Sequence, residues 1–183
     1  MRHFLAVFIL AASALTSSFT LSAKTPGATD TGWDHFVWGA EVGGSCDLTS
    51  NNLSSINLDA YFGYSNSWLN AVGVGASVNM MVSSSVRAFP IYAMIRTDFS
   101  SQQKLCFMDL RAGVSINKPT YGQEETALYL SPGIGINLAR GKTFCSYLTL
   151  SYIYNGMKPF DLGDRRCDID GLSMACLRLG ISF

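Results

Sequence analysis

The sequence predicts an all-β protein, an eight-stranded antiparallel up-and-down transmembrane β-barrel preceded by an export signal. Three observations carry that prediction. Hydrophobic residues make up 48% of the chain and charged ones only 14%, against roughly 25% charged in an ordinary soluble domain. After the N-terminal stretch no run approaches the roughly 18 consecutive apolar residues that a membrane-spanning helix needs. Eight segments instead alternate aliphatic with small or polar residues, the period of a strand whose two faces meet different surroundings.

The N-terminus comes first. Met1-Arg2-His3 is a short basic start, Phe4 to Leu15 is apolar, and Ser22-Ala23 offers small residues for cleavage, which together read as a secretory signal peptide over 1–23. No cysteine closely follows the apolar stretch, which argues against a lipoprotein. Residues 24–32 are then a short periplasmic segment and 33–183 the barrel. The first strand is expected over 36–45, where Trp38, Ala40 and Val42 oppose Gly39, Glu41 and Gly43. The second, over 56–64, sets Ile56, Leu58, Ala60 and Phe62 against Asn57, Asp59, Tyr61 and Gly63. The third, over 72–80, sets Val72, Val74, Ala76 and Val78 against Gly73, Gly75, Ser77 and Asn79. The same alternation recurs over 89–99, 106–116, 144–154 and 175–183. The sixth strand lies within 127–144, where "LYLSPGIGINL" has Leu128, Leu130, Pro132, Ile134, Ile136 and Leu138 on one side and no aliphatic residue on the other. Pro90 and Pro132 each remove one ladder donor, so they mark strand starts, bulges or a bond given up. Connections alternate: 64–67, 100–104 and 139–143 are short, while 46–54, 81–86, 118–126 and 155–170 are mostly longer. Short turns at one end and longer loops at the other, with an even number of strands, are the arrangement of an outer-membrane barrel with both termini in the periplasm.

The lysines decide which face is wet. Lys24, Lys104, Lys118, Lys142 and Lys158 all fall in the N-terminal segment, turns or loops, whereas a soluble sheet carries lysines along its outward polar face. The polar row here is mostly Gly, Ser, Asn, Thr and Tyr, side chains suited to the crowded interior of a narrow barrel. The aliphatic row therefore faces lipid, and because lipid offers no hydrogen-bond partner, the sheet must close. Trp33, Phe36, Trp68, Phe99, Phe144 and Phe183 gather at turn-side strand ends, as in an interfacial aromatic girdle.

"FPIYAMIRTDF", "LRAGVSI", "YLSPGIGINL" and the terminal "LRLGISF" resemble strands of the small eight-stranded outer-membrane β-barrel domain family of Gram-negative bacteria, over about 33–183. The resemblance implies a place in the outer membrane after export, lipid and the barrel-assembly machinery as partners, a monomer, and Phe183 as the C-terminal barrel-assembly signal. It is nearly silent on activity, since the family includes adhesins, structural anchors and small channels. Similar outer-membrane proteins include lipid A deacylases and acyltransferases with Ser and His at the outer rim. Here His3 leaves with the signal peptide and His35 stands at the start of the first strand, on the periplasmic side, where it reads as an interfacial polar residue rather than a catalytic base.

Other chemistry finds little support. Thirteen basic residues balance thirteen acidic ones with no basic run, so nothing points to nucleic acid. The cysteines form no CxxC pair, and Asp161, Asp164, Asp168 and Asp170 near Gly171 lack the spacing of an EF-hand loop; a solvated acidic loop, with no metal or cofactor, is the reading. Cys46 and Cys167 lie near the loop-side ends of the first and last strands, neighbours in a closed barrel, which makes a disulfide between them a candidate in an oxidising compartment. The alternation turns Glu41, Asp59, Arg96, Asp109, Arg111 and Arg178 into the lumen, three acidic against three basic. Glu41 and Asp59 are expected to repel each other unless a guanidinium sits between them, and Arg178, brought beside Glu41 by closure, is the expected bridge. Tyr61, Tyr92, Tyr129 and Tyr147 should fill the remaining width. The function expected is non-enzymatic: a plugged barrel with a structural or surface-loop-mediated role. The alternatives are a narrow channel for small solutes and, from the enzymes among similar proteins, a lipid A-modifying activity.

Overall fold

The computed structural model describes residues 35–49, 53–65, 69, 71–99, 105–119, 124–141, 144–161, 166–167 and 171–183, without the side chains at 35, 160–161 and 166–167. The expected signal peptide and the segment 24–32 lie outside the described residues. Alternating side chains with few helix-compatible runs produce strands throughout: β1 (His35–Asp47), β2 (Ser55–Ser65), β3 (Ala71–Met81), β4 (Arg87–Asp98), β5 (Cys106–Lys118), β6 (Glu125–Arg140), β7 (Cys145–Asn155), β8 (Phe160–Asp161), β9 (Arg166–Cys167) and β10 (Leu172–Ser182). Eight of them close in the order β1-β10-β7-β6-β5-β4-β3-β2, and β8 pairs with β9 in a separate hairpin. All barrel neighbours are antiparallel.

Closure leaves no unpaired edge, the condition for a sheet without water on its outer side. The seam is sealed at the turn side by Trp38 and Phe183, which exchange backbone hydrogen bonds of 3.1 and 2.8 Å and stack at 4.6 Å between ring centroids. The sheet is strongly staggered. A path through backbone partners that leaves β1 at Trp38 and passes Phe62, Val74, Ala93, Ala112, Leu130, Tyr154 and Ser173 returns to the first strand's continuation at Leu48, whose N–H donates to the Ser173 carbonyl, ten residues further along. Stagger and strand number together set the tilt and bore, and eight strands leave an interior that side chains can fill.

Burial is inverted relative to a soluble protein. In β2 the buried row is Ser55, Asn57, Asp59 and Tyr61, and the exposed row is Ile56, Leu58, Ala60 and Phe62. Ile91 (53% exposed), Leu110 (46%), Ile134 (56%) and Leu150 (54%) point outward from four further strands, while Arg111 and Arg178 are among the largest buried side chains. The prolines act as their chemistry requires: β6–β7 pairing lapses beside Pro132 and β3–β4 pairing beside Pro90. A bulge between Asn137 and Ala139 shifts the β6–β7 register near the turn. Two boundaries differ from expectation. The last barrel strand starts at Leu172 rather than 175, because Leu172 and Met174 continue the inward row, and the final long connection contains the β8–β9 hairpin, with Phe160 opposite Cys167. Gly171, entering β10 at φ 134°, occupies a conformation that other residues rarely adopt.

Candidate functional site

The lumen gathers the chemistry, and it is organised in layers along the axis. At the turn side lie aromatic rings, each set opposite a glycine on a neighbouring strand: Tyr61 faces Gly39, Tyr92 faces Gly75, Phe107 faces Gly135 and Tyr147 faces Gly180. A Cβ at Gly135 would stand 2.2 Å from the Phe107 ring, and one at Gly180 would stand 2.4 Å from Tyr147. The missing side chains are what let the rings lie over the neighbouring strands, the arrangement by which aromatics cover strand glycines. Phe107 and Tyr147 meet edge to face at 5.6 Å, and Tyr92 stacks on Tyr129 at 5.8 Å.

Above and among these rings sit the six charged residues, all at most 5% exposed. Register accounts for part of their pairing, since Glu41 is directly opposite Asp59 and Arg96 directly opposite Asp109. Arg111 is the centre. Its Nη2 donates to both Glu41 oxygens at 2.8 and 2.7 Å, its Nη1 to Asp59 Oδ1 at 3.2 Å and to Tyr92 Oη at 3.1 Å, and its Nε to Asp109 Oδ1 at 2.8 Å. Arg96 joins Glu41 at 3.0 Å and Asp109 at 2.6 Å, and donates to Tyr61 Oη at 3.1 Å. Its guanidinium also lies 4.2 Å from the Tyr147 ring centre and 4.7 Å from that of Phe107, a cation–π cage in a dry setting. Tyr147 closes the network by donating to Glu41 Oε1 at 2.8 Å. Desolvating such charges costs several kcal/mol per ion and is offset only by this density of mutual hydrogen bonds.

The bridge between Glu41 and Asp59 is therefore Arg111, not the expected Arg178. Arg178 is opposite Gly43 on β1, one position beyond Glu41 on the inward row, and its Nη1 stays 4.0 Å from Glu41 Oε2. It spends Nη2 on Ser131 Oγ at 2.7 Å. Its Nε and Nη1 lack hydrogen-bond partners, as do Asp59 Oδ2 and the hydroxyls of Thr149 and Ser151. Arg111 wins because its strand stands across the bore from β1 and β2, so its side chain spans the lumen and meets both carboxylates end-on.

On the loop side of the charges comes a neutral polar layer built from a repeated spacing. Ser55-Ile56-Asn57, Ser77-Val78-Asn79 and Ser115-Ile116-Asn117 each place a serine hydroxyl on the amide oxygen two residues on, at 2.9, 2.7 and 2.8 Å. Asn57 donates further to Ser45 Oγ and to Cys176 Sγ, and Asn117 and Asn155 exchange amide bonds of 3.2 and 2.8 Å. This Ser-x-Asn repeat was available in the sequence as a spacing on the inward row. Nearest the loops, Leu53, Met81, Val86, Met157, Leu172 and Met174 form an apolar cap, each at most 5% exposed. Met81, Leu172 and Met174 continue inward rows of their strands, but nothing in the alternation announces Leu53, Val86 and Met157, which belong to connections that fold inward.

The other candidate residues are dispersed. Cys46 is a free thiol on the outward face of β1; the Cys167 side chain, its candidate disulfide partner, lies outside the described residues. The side chains of His35, Asp161, Asp164, Asp168 and Asp170 also lie outside them. Among the described residues no group of three or more His, Cys, Asp or Glu is placed to hold a metal. A shallow apolar groove of about 510 Å³ lies on the outer face, lined by Met108, Leu110, Pro132, Ile134 and Leu150.

No family model and no curated protein sequence matches the chain. Solved structures do. The N-terminal β-barrel domain of Pseudomonas aeruginosa OprF aligns with a TM-score of 0.54 at 13% identity, over 83% of this chain and 99% of that one. Neisserial surface protein A (NspA) aligns at 0.49 and 16% identity, over 80% and 94%. Ail of Yersinia pestis, solved with the heparin analogue sucrose octasulfate, aligns at 0.37 and 17%, over 83% and 99%. The closed antiparallel circuit of eight strands, traced above from the ladder register, is thus the fold that the OprF barrel domain also adopts.

Proposed function

We propose that the chain is an integral outer-membrane protein whose barrel spans the bilayer with a closed lumen, and whose role is structural or carried by its surface loops rather than catalytic. The observation that carries this reading is the filling of the bore: aromatic rings, a hydrogen-bonded charge network, a Ser/Asn layer and an apolar cap succeed one another along it, their side chains almost wholly buried among the described residues. The outward aliphatic row is the complement of that polar interior and suits hydrocarbon. In this reading both termini are periplasmic, the chain is a monomer, and Phe183, stacked on Trp38 at the seam, also serves as the assembly signal. Trapped water bridges Arg178 to Asp59, Thr149 and Ser151, whose orphaned polar atoms lie in one polar layer of the lumen.

Refolding into vesicles that contain bromine-labelled acyl chains tests the membrane face. A tryptophan at Ile91 should be quenched strongly, and liposomes carrying the protein should swell in small sugars no faster than empty ones. An unquenched tryptophan would remove the membrane reading; swelling would favour the narrow channel instead.

A further inference from the structure

Sulfur side chains from two strands converge at the loop-side end of the lumen. Met174 and Cys176 stand two residues apart on the inward row of β10. Between them and β2 lies only the small Ser45 of β1, the ladder partner of Cys176 on one side and of Ser55 on the other. Both sulfurs reach one pair of β2 residues: Ser55 Oγ donates toward Met174 Sδ at 3.8 Å, Asn57 Nδ2 donates to Cys176 Sγ at 3.1 Å, and Ser55 Oγ donates to Asn57 Oδ1 at 2.9 Å. Met81 comes to the same place from β3, as the direct partner of Ser55. All three sulfur residues are at most 5% exposed and belong to one buried cluster, and the Cys176 thiol is free. Asp47, the ladder partner of Met174, is engaged by the N–H groups of Thr49 and Leu53 at 2.7 and 3.1 Å.

We propose that Cys176, Met174 and Met81 hold a soft monovalent metal ion, Cu(I) or its analogue Ag(I), among their sulfurs. Thiolate and thioether ligands select such an ion over hard cations. The ion displaces the thiol proton, so a new S–metal bond replaces the S–H bond, one proton is released and no oxidation state changes. The product is neutral, which suits a site capped by Leu53, Val86 and Leu172; a divalent ion on the same three sulfurs would leave net charge buried. Methionines alone are common fillers of irregular gaps. An amide N–H directed at the sulfur of a free thiol beside them is the outer-shell contact that orients a metal ligand.

The test uses the protein with Cys46, Cys106, Cys145 and Cys167 all replaced by serine, so that Cys176 is its one thiol. Refolded anaerobically in detergent with Cu(I) present, this parent should retain one copper per chain after gel filtration, with sulfur as the coordinating element in X-ray absorption. Met81→Leu/Met174→Leu, which keeps the volume of the cap, should weaken retention against a Cu(I) chelator at least about tenfold, the loss that even an outer-shell partner causes. Cys176→Ser should abolish retention, while Met94→Leu, at a buried methionine on β4, should leave it unchanged. Heat-modifiable migration on gels checks that each variant has folded. A folded parent that retains no copper, a methionine double variant as tight as the parent, an equal loss in Met94→Leu, or a shell of nitrogen and oxygen would overturn the site.

Discussion

Replacing Arg111 by methionine, which keeps much of the length and removes the charge, should be the most damaging single change in the lumen. The structure shows what would be lost: both Glu41 contacts of the Nη2 group, the 3.2 Å contact to Asp59 and the 2.8 Å contact to Asp109. Glu41 and Asp109 would still have Arg96, at 3.0 and 2.6 Å, but the one direct hydrogen bond left to Asp59 would be that from the Tyr92 hydroxyl at 3.1 Å. Removing one partner of a buried ion pair costs about 3–5 kcal/mol because the other charge is left uncompensated. With a urea m-value of about 2.5 kcal/mol/M, that is a fall in midpoint of about 1–2 M. Arg178→Met should cost less, about 1–2 kcal/mol, since it gives up one hydrogen bond to Ser131 and a 4.0 Å approach to Glu41, together with two donors that already lacked partners. The assay is urea unfolding in lipid vesicles, followed by tryptophan fluorescence and gel mobility. Adding Asp59→Asn to Arg111→Met should restore part of the loss. An Arg111→Met midpoint equal to the parent's, or a larger loss in Arg178→Met, would refute the assignment of Arg111 as the bridge.

Gly135→Ala should destabilise the barrel by about 1–3 kcal/mol, because the new methyl would displace the Phe107 ring from its place against Tyr147; the same urea titration reads it. Cys46 should be alkylated by a maleimide in the folded protein while Cys176, buried against Asn57, reacts only after unfolding, and non-reducing peptide maps should show no link from Cys46 to Cys167. A tag in the loop near position 160 should be labelled on intact cells and one near position 66 should not; the reverse would invert the orientation. Phe183→Ala, which removes the ring stacked on Trp38, should lower the amount of heat-modifiable barrel formed in cells.

The strands and their faces were legible because a period of two is unambiguous when one row is aliphatic and the other small or polar. Val72 to Val78 against Gly73 to Asn79 permits only one assignment of sides. The inward direction of the six charges follows from the same count. How they pair does not, because it depends on distances across the bore: Arg178 is Glu41's neighbour along the seam, yet Arg111, from a strand across the lumen, reaches Glu41 more closely. The aromatic–glycine matching is likewise a property of register between strands, invisible until Gly39 is set opposite Tyr61 or Gly180 opposite Tyr147. The apolar cap escaped for a third reason. Leu53, Val86 and Met157 sit in connections, where no period constrains direction, and only the folded mouth of the barrel draws them inward. The Ser-x-Asn repeat was different, since three copies at loop-side strand ends were countable in the sequence itself.

Single-channel recording of the refolded protein in a planar lipid bilayer tests the closed lumen most directly. The rings of Tyr61, Phe107 and Tyr147, the Arg96–Arg111 network and the cap around Leu53 and Met174 all lie in series, so insertion should add no steady current above the bare membrane at either polarity. A stable, reproducible ion conductance from correctly folded, heat-modifiable protein would contradict the sealed bore and make the barrel a narrow channel.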